Sequence, residues 1–248
     1  VNIVLGHWGG PAINEMLDKL EIKSEFINGN RVTDAKTMEV VEMVLTGKIN
    51  KELVGNINKL GGKAVGVSGK DGNLIIAEKK YMMVDGEEVD LGLVGKVKKI
   101  NPEIIDTLDK SGYIPVISPV AVDEDGNAYN INADYAAGEI AGALNADKFI
   151  LLTNVRGIMR DINDPSSLYS KLYYNEVHKL INGGIIMGGM LPKVEACMVA
   201  INAGVSRAHI LDGRIKHSLL LEIFTDEGIG TMIVSKTKEE RLKKGSEN

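Results

Sequence analysis

The chain contains one cysteine, Cys197, among its 248 residues. A single cysteine excludes a disulfide framework and a multi-cysteine metal site, and it fits a reducing compartment. The sequence also lacks a run of about 18 apolar residues, so we expect no membrane-spanning helix. It shows no signal-peptide pattern, and we therefore expect a cytoplasmic protein with no membrane partner.

The chain has fewer basic than acidic residues, with 29 lysines and arginines, 34 aspartates and glutamates, and a net charge of −5. Proteins that bind nucleic acid usually present a basic surface, so nucleic acid is not an expected partner. Apolar residues make up 44% of the chain and charged residues 25%, which is ordinary for a globular protein. The length allows one large α/β domain or two smaller ones.

Short apolar runs alternate with amphipathic segments along the chain. This alternation predicts an α/β fold with a mostly parallel open sheet that is covered by helices on both faces. The continuous apolar run at residues 149–153 is typical of a strand in the middle of a parallel sheet. We find no linker within residues 1–234, which form the predicted domain, and residues 235–248 form a charged tail.

The central motif, Asn130-Ile131-Asn132-Ala133-Asp134, lies between a predicted strand and a predicted helix rich in glycine and alanine. In an open α/β sheet, ligands bind at the edge where the strands end. Alternation along an extended segment would place Asn130, Asn132 and Asp134 on one side, where they could bind a ligand together. The alternative is an Asx turn in which Asp134 caps the helix.

Glycine-rich turns precede two of the predicted helices. Gly9-Gly10 follows a strand predicted at residues 1–5, and Gly188-Gly189 precedes a helix that carries Lys193 in its first turn and runs to Ala203. Backbone N–H groups at such helix starts can bind an oxyanion, although a tight turn also requires small residues. A lysine in the first turn opposes the helix dipole, which indicates an anion nearby.

Arg31 lies between a hairpin and a helix. The hairpin is predicted at residues 26–32 with its turn at Asn28-Gly29. The helix is capped by Thr33-Asp34 and is expected to end at Gly47, before another helix begins. The planar charged fork of an arginine at this point suits a carboxylate ligand. A solvent-exposed surface arginine is the alternative.

Five segments of the chain resemble, in the same order, the N-acetylglutamate kinases of the amino acid kinase family. They are GHWGGP (6–11), NGNRVTD (28–34), NINAD (130–134), LLTNVRG (151–157) and GGMLPKVEA (188–196). The resemblance covers residues 1–234 and implies the amino acid kinase fold, a three-layer αβα sandwich around a mostly parallel open sheet. It also implies that the N-terminal half binds the acetylamino acid and that the C-terminal half, from about residue 135, binds ATP.

The resemblance implies ATP-dependent phosphorylation of the side-chain carboxylate of N-acetyl-L-glutamate, in arginine biosynthesis. Such a transfer needs in-line positioning and neutralised charge, and Mg²⁺ would enter with ATP rather than bind protein side chains. By this resemblance, the substrate-binding residues are Gly9 and Gly10 for the reacting carboxylate and phosphoryl group, Arg31 for the α-carboxylate, and Asn130 and Asn132 for the amino acid. The nucleotide-binding residues are Asn154, Gly157, Gly189 and Lys193. Lys193 also stabilises the transition state, and Asp134 orients the catalytic lysines.

The C-terminal region resembles the arginine-inhibited branch of the family. The similar segments are AHILDGR (208–214) and LEIFTDEGIGT (221–231). By this resemblance His209, Glu222 and Gly228 would bind arginine as a feedback inhibitor, and a pair that caps the core at the surface is the alternative. The branch also implies a homo-oligomer, a dimer through the central sheet or a hexamer in the full-length enzyme.

Three departures from the family pattern shape these expectations. The family's N-terminal Lys-x-Gly-Gly segment is not found, so we interpret the chain from Val1 as a catalytically impaired fragment of an active enzyme. Trp8 stands where the family usually has glycine, and Asn154 where it usually has aspartate.

The alternative functions are a non-catalytic arginine-binding or regulatory relative and a kinase of another acyl amino acid, such as an aminoadipate. Arg31 argues against UMP as the substrate.

Overall fold

A computed structural model describes residues 2–225 and 228–235. The chain divides into two compact units, residues 1–136 and 137–248. The division lies beside residue 135, where the resemblance separates the two predicted halves. Of the predicted tail, residues 236–248 lie outside the described part of the chain.

Unit 1 alternates short helices with strands. In chain order its elements are β1 (Leu5–Gly6), α1 (Gly10–Lys19), β2 (Phe26–Ile27), β3 (Asn30–Arg31), α2 (Ala35–Glu42), a π-helical segment (Met43–Ile49), α3 (Asn50–Lys59), β4 (Ala64–Ser68), a 3₁₀ turn (Asp71–Asn73), β5 (Ile75–Val84), β6 (Glu87–Ile100), α4 (Glu103–Lys110), β7 (Ile114–Ser118), β8 (Val120–Val122) and β9 (Ala128–Ile131), followed by the start of α5 (Ala133–Ala143).

The strands of unit 1 form three groups. β1, β7 and β4 form a parallel sheet in that order, with Gly6 and Val67 both opposite Ile117. β2 and β3 form the predicted hairpin around Asn28-Gly29. β5, β6, β9 and β8 close into a small barrel. Because the three parallel strands end together, the residues that follow them meet at one edge of the sheet.

An apolar cluster holds the first helices of unit 1 together. It is formed by Ile13 and Leu17 of α1, by side chains of α2 and the π-helical segment, and by Val120 of β8. Burial of each large aliphatic side chain stabilises the fold by about 1.5–3 kcal/mol. The cluster therefore fixes α1, and with it the glycine turn at the start of that helix.

The helix that begins after Asp34 is longer than predicted. Asp34 caps it as expected, because its Oδ1 accepts a hydrogen bond of 2.7 Å from the Thr37 N–H. The predicted end at Gly47 is wrong, since α2 continues through the π-helical segment directly into α3. A glycine lowers helix stability by about 1 kcal/mol, which the packing of the flanking side chains of this segment outweighs.

Two predicted strands of unit 1 are shorter or divided. β1 comprises Leu5–Gly6, so the strand predicted at residues 1–5 is wrong at residues 2–4, and Val1 lies outside the described residues. The apolar run at residues 116–122 is divided at Pro119 between β7, in the parallel sheet, and β8, in the barrel. Proline has no N–H to donate to a strand partner, so a change of sheet occurs readily there.

Unit 2 contains the rest of α5 and a mixed sheet. Its further elements are β10 (Lys148–Thr153), a 3₁₀ turn (Pro165–Ser167), β11 (Lys171–Tyr173), α6 (Tyr174–Asn182), α7 (Met190–Ala203), β12 (Arg207–Asp212), α8 (Ser218–Phe224) and β13 (Thr231–Val234). The strand order is β10-β12-β13-β11, with β12 and β13 antiparallel and the other two pairs parallel. In the described part of this sheet β10 lies at an end and Leu152 is 48% exposed, so the predicted central position of residues 149–153 is wrong.

Close packing of α5 and α7 accounts for the small residues in α5. A Cβ on Gly138 would lie 2.6 Å from the Ala196 carbonyl oxygen, and one on Gly142 would lie 2.4 Å from the Ala203 Cβ. Cys197 is fully buried in the core of unit 2, where a thiol behaves as a small apolar side chain. In the described ranges no helix is long and apolar enough to cross a membrane.

Candidate functional site

The glycine turn of unit 1 leaves the start of α1 open to a ligand. Gly9 is the N-cap and Gly10 the first residue of α1, which has no side-chain cap bond and no acidic residue in its first turn. The backbone N–H groups of such a first turn have no partner within the helix and favour an anion. The described residues therefore place an uncapped helix N-terminus where the sequence predicts oxyanion binding.

The two glycines of this turn are required for different reasons. A Cβ on Gly9 would overlap Ile49 Cδ1 and lie 2.7 Å from Leu45 Cδ2, so a side chain at position 9 would displace the ends of these two side chains of the π-helical segment. A Cβ on Gly10 would meet only the Trp8 ring, at an ordinary 3.4 Å. No contact within unit 1 thus explains the glycine at position 10, whereas close approach of a ligand to its backbone would.

Arg31 is a buried residue, not the surface arginine of the alternative interpretation. It is 8% exposed, and its guanidinium lies 4.5 Å from the centre of the Phe26 ring. Its Nη1 donates to Ser24 Oγ, and its Nη2 donates to Asn14 Oδ1 at 2.5 Å and to the Gly10 carbonyl oxygen at 3.5 Å. Arg31 thus lies beside the glycine turn.

The charge of Arg31 has no compensating carboxylate among residues 2–225 and 228–235, because its hydrogen-bond partners there are neutral oxygens. Burial lowers the pKa of Arg31 from its ordinary value, since removing the charge from water is unfavourable. A buried cation without a counter-ion is expected to bind an anion. The uncapped start of α1 and the Arg31 guanidinium both lie at Gly10, so unit 1 has two features there that favour negative charge.

The central motif is divided between β9 and α5. Asn130 lies in β9 with its Nδ2 3.4 Å from Thr33 Oγ1. Asn132 caps α5, because its Oδ1 accepts from the N–H groups of Asp134 at 3.0 Å and Tyr135 at 3.2 Å. The predicted Asp134 cap is wrong, whereas the Asx turn of the alternative interpretation is present, at Asn132; the one-sided arrangement of the three side chains stays a prediction. The helix starts one residue before Asp134, so that residue leaves the two-residue alternation and lies in the first turn.

The glycine turn of unit 2 also precedes a helix without a cap bond. Gly188 has φ +55°, which favours glycine, whereas Gly189 has φ −66° and a Cβ on it would meet nothing within 4 Å. Packing among the described residues therefore does not require glycine at position 189. Close approach of a ligand to the backbone would require it. Lys193 is the half-buried fourth residue of α7, as predicted. Met190 and Leu191 donate their N–H groups to the Met187 and Gly188 carbonyl oxygens, so the feature of this helix start that suits phosphate is the cation of Lys193.

The residues after β10 fall into two classes. Asn154 is exposed and follows Thr153, whose Oγ1 accepts from the Val155 N–H at 3.1 Å. Gly157 is buried with φ +148°, and a Cβ on it would lie 2.5 Å from Thr231 Oγ1. Packing thus explains Gly157 without a ligand, and its predicted role at the nucleotide stays a prediction.

The three residues predicted for arginine lie together in unit 2. His209 Nδ1 lies 2.7 Å from Glu222 Oε1, both side chains are buried, and Glu222 Oε2 accepts from the Ile229 N–H at 2.8 Å. A Cβ on Gly228 would lie 2.7 Å from Glu222 Oε2. Burial lowers the pKa of His209 and Glu222 partly opposes this. Because a carboxylate oxygen can only accept, the proton between the two side chains lies on His209 Nδ1, which donates to Glu222.

Sequence reasoning missed the residues that hold the site of unit 1 in place. Asn14 and Ser24 carry the oxygens that bind Arg31, and a buried Asn50 bonds to three parts of the parallel sheet. Asn14 and Ser24 are exposed residues with no pattern that distinguishes them. Asn50 is the buried residue of α3, and its partners lie far from it in sequence, so no local pattern indicates it.

Comparison with known proteins assigns the family. The model of the amino acid kinase family matches residues 1–212. The chain belongs to the amino acid kinase family. This amino acid kinase is 57% identical over 235 residues to the acetylglutamate kinase of Moorella thermoacetica, covering 93% of the chain and 79% of that protein. It is 55% identical over 237 residues to the acetylglutamate kinase of Methanococcus aeolicus, covering 94% and 81%.

Solved structures are similar to this amino acid kinase over nearly its whole length. Smu.665 from Streptococcus mutans UA159 has a TM-score of 0.76 and 29% identity, covering 95% of this chain and 86% of that one. An N-acetylglutamate synthase from Neisseria gonorrhoeae, complexed with coenzyme A and N-acetyl-glutamate, has a TM-score of 0.80 at 24% identity, covering 95% and 52%. The family match and these structures confirm the predicted α/β amino acid kinase fold.

Proposed function

We propose that this chain transfers the γ-phosphoryl group of ATP to the side-chain carboxylate of N-acetyl-L-glutamate, giving N-acetyl-L-glutamyl 5-phosphate and ADP. The observation that carries the proposal is the buried Arg31 guanidinium, bonded only to neutral oxygens among the described residues and adjacent to Gly10 at the uncapped start of α1. The names of relatives at 55–57% identity support N-acetyl-L-glutamate as the acceptor.

The two carboxylates of this substrate match the two neighbouring positive features of unit 1. Arg31 binds the α-carboxylate, and the N–H groups at Gly9 and Gly10 bind the side-chain carboxylate and the phosphoryl group it receives. A carboxylate oxygen attacks the γ-phosphorus in line while the bond to ADP breaks, so the protein supplies position and charge. Asn130 and Asn132 hydrogen-bond the amino acid.

The nucleotide is assigned to residues of unit 2. Lys193 stabilises the charge of the transferring phosphoryl group, and Asn154, Gly157 and Gly189 contact the nucleotide. Asp134 orients the lysines that act on the phosphates. Bound Mg²⁺ would neutralise phosphate charge while held by phosphate oxygens and water. The described residues contain no group of three or more His, Cys, Asp or Glu that could hold a metal ion.

A substrate panel tests the proposal. The full-length protein is assayed for ADP release with N-acetyl-L-glutamate, L-glutamate, N-acetyl-L-aspartate and N-acetyl-L-α-aminoadipate, and hydroxylamine traps the acyl phosphate. We expect N-acetyl-L-glutamate to have the highest kcat/KM and to give one hydroxamate per ADP. A preference for the aminoadipate would favour the related acyl amino acid kinase, and no hydroxamate with any acceptor would contradict the proposal.

We also propose that arginine binds at His209, Glu222 and Gly228 as a feedback inhibitor. The buried Glu222 carboxylate, which accepts from His209 and the Ile229 N–H, supports this because its remaining lone pairs can accept from a guanidinium or an ammonium group. L-arginine should lower the rate of the wild-type protein, and Glu222→Gln should abolish this inhibition. Arginine binding without kinase activity would favour the regulatory relative instead.

Homo-oligomerisation, as a dimer or a hexamer, stays a prediction from the resemblance. Sedimentation equilibrium with and without arginine measures it. A monomer over the whole concentration range would contradict it.

A further inference from the structure

One buried amide contacts the carboxyl ends of the three parallel strands of unit 1. Asn50 is 1% exposed and is the first residue of α3. Its Nδ2 lies 2.9 Å from the Val116 carbonyl oxygen of β7, 3.4 Å from the Val67 carbonyl oxygen of β4 and 3.3 Å from Nε2 of His7, which follows β1. A single side chain therefore ties together the strand ends at which the glycine turn begins.

The orientation of the Asn50 amide bears on the tautomer of His7. Asn50 Oδ1 accepts from Lys51 Nζ at 3.1 Å, while Nδ2 faces carbonyl oxygens, so the nitrogen is the donor end. If the Asn50 amide donates one of its two hydrogens to His7 Nε2, that nitrogen accepts and the imidazole proton lies on Nδ1. Nδ1 is buried and has no hydrogen-bond partner among the described residues. Burial lowers the pKa of His7 and a backbone interaction with Trp8 partly opposes this, in keeping with a neutral ring.

The sheet leaves room for this amide. A Cβ on Gly66 in β4 would overlap Asn50 Oδ1, so any other residue at position 66 would displace the side chain. An asparagine buried in this way is stable because its donor and acceptor groups all have partners.

The same helical stretch holds the glycine turn at two points. Asn50 bonds to His7, and two residues later Gly9 packs against Ile49 and Leu45 of the π-helical segment. Between these points Trp8 is 61% exposed, so its side chain contributes little to fixing the backbone. The hydrogen bond at the His7 ring and the packing at Gly9 therefore add to the backbone bonds that hold the turn, from the His7 N–H to the Ile117 carbonyl oxygen and from the Ile13 N–H to the Gly9 carbonyl oxygen.

We propose that Asn50 is a positioning residue that acts through His7 to hold the glycine turn in the geometry needed for phosphoryl transfer. This inference rests on the proposed function, because it assigns the turn N–H groups to the transferred phosphoryl group. Displacement of such donors by about 1 Å can lower a rate by about 100-fold while ground-state binding changes little. Asn50 and His7 thus govern kcat, whereas Arg31 governs affinity for the acceptor.

A matched pair of His7 variants tests the proposal in the full-length protein. Glutamine at position 7 can place its Oε1 near the Nε2 position and accept from Asn50, whereas leucine of similar size cannot. We expect His7→Leu to lower kcat by about 10–100-fold with KM for N-acetyl-L-glutamate nearly unchanged, and His7→Gln to stay within about threefold of wild type. Equal losses in the two variants, or a loss confined to KM, would overturn the proposal.

A second measurement needs no activity. The chain has four histidines, so long-range ¹H–¹⁵N spectra of the ¹⁵N-histidine-labelled protein can report each ring tautomer, with assignment of His7 by its loss in His7→Gln. We expect a proton on Nδ1 and an unprotonated, hydrogen-bonded Nε2 at pH 7. A proton on Nε2 would overturn the proposal. An inactive wild-type protein with the expected tautomer would instead count against the proposed function.

Discussion

Replacing Arg31 by methionine separates ligand binding from fold stability. The guanidinium has five N–H donors, and its hydrogen bonds to Ser24, Asn14 and Gly10 use three of them. Two donors remain for the α-carboxylate of the acceptor. Each charge-assisted hydrogen bond contributes about 1.5–3 kcal/mol, so losing both should weaken N-acetyl-L-glutamate binding by at least about 3 kcal/mol, on the order of 100-fold in Kd.

The same substitution should affect stability little. Asn14 and Ser24 are exposed residues, so their oxygens can bind water once the guanidinium is gone. Replacing a buried cation that lacks a counter-ion by an apolar side chain of similar length is often neutral or stabilising. We expect the free energy of unfolding of Arg31→Met to stay within about 1 kcal/mol of wild type.

Three assays measure this prediction. Calorimetry gives the Kd for N-acetyl-L-glutamate, steady-state kinetics give KM for both substrates, and urea unfolding gives stability. Arg31→Lys is the control, because lysine keeps the positive charge but lacks the planar two-pronged donor group of arginine. It should weaken N-acetyl-L-glutamate binding by about tenfold in Kd. A rise in KM for ATP equal to that for the acceptor, or a stability loss above about 3 kcal/mol, would refute the assignment of Arg31.

Four further substitutions probe other parts of the account. Lys193→Ala should lower kcat by about 100-fold or more with little change in KM; a near-normal kcat in the coupled assay would refute its role. Gly9→Ala should lower the free energy of unfolding by about 1–3 kcal/mol through overlap with the π-helical segment, whereas Gly10→Ala, which meets no such overlap, should leave urea unfolding unchanged. Arg214 lowers the pKa of Asp212 to about 2, so this carboxylate stabilises the fold above about pH 4 and the stabilisation is lost as pH falls through 2. Because Arg214 is 68% exposed, Asp212→Asn should cost only about 1 kcal/mol at pH 7, and unfolding curves of the two proteins should converge near pH 2.

Local chemistry in the sequence was sufficient for several elements. Asn28-Gly29 predicted the hairpin that positions Arg31, because both turn residues adopt positive φ. Asp34 predicted a helix start, since its side chain satisfies a first-turn N–H. The prediction of a helix that begins after Gly188-Gly189 and ends at Ala203 is also confirmed.

Long-range pairing was beyond the reach of these local patterns. The barrel depends on pairing of β6 with β9, which lie far apart in sequence, and no periodicity encodes that contact. The continuation of α2 past Gly47 depends on the packing of the π-helical segment against Gly9. The cap of α5 belongs to Asn132 rather than Asp134, and a shift of two residues is within the ordinary uncertainty of helix ends.

The sequence indicated the residues proposed to contact ligands better than the residues that hold them in place. Arg31 and the glycine turn were identified because charge and small residues stand out in a sequence. His7 and Asn50 were not, since their importance comes from a hydrogen bond across 43 positions of the chain. Supporting residues of this kind become visible only when the strands that carry them are placed side by side.

The transfer of labelled oxygen tests the central claim most directly. N-acetyl-L-glutamate with ¹⁸O in its side-chain carboxylate is incubated with ATP, Mg²⁺ and the full-length protein, and hydroxylamine then cleaves the acyl phosphate at its carbonyl carbon. If the carboxylate is the nucleophile, each phosphate released carries one ¹⁸O atom, and label in the α-carboxylate is not transferred. Unlabelled phosphate, as from attack of water on ATP, or transfer from the α-carboxylate would contradict the account.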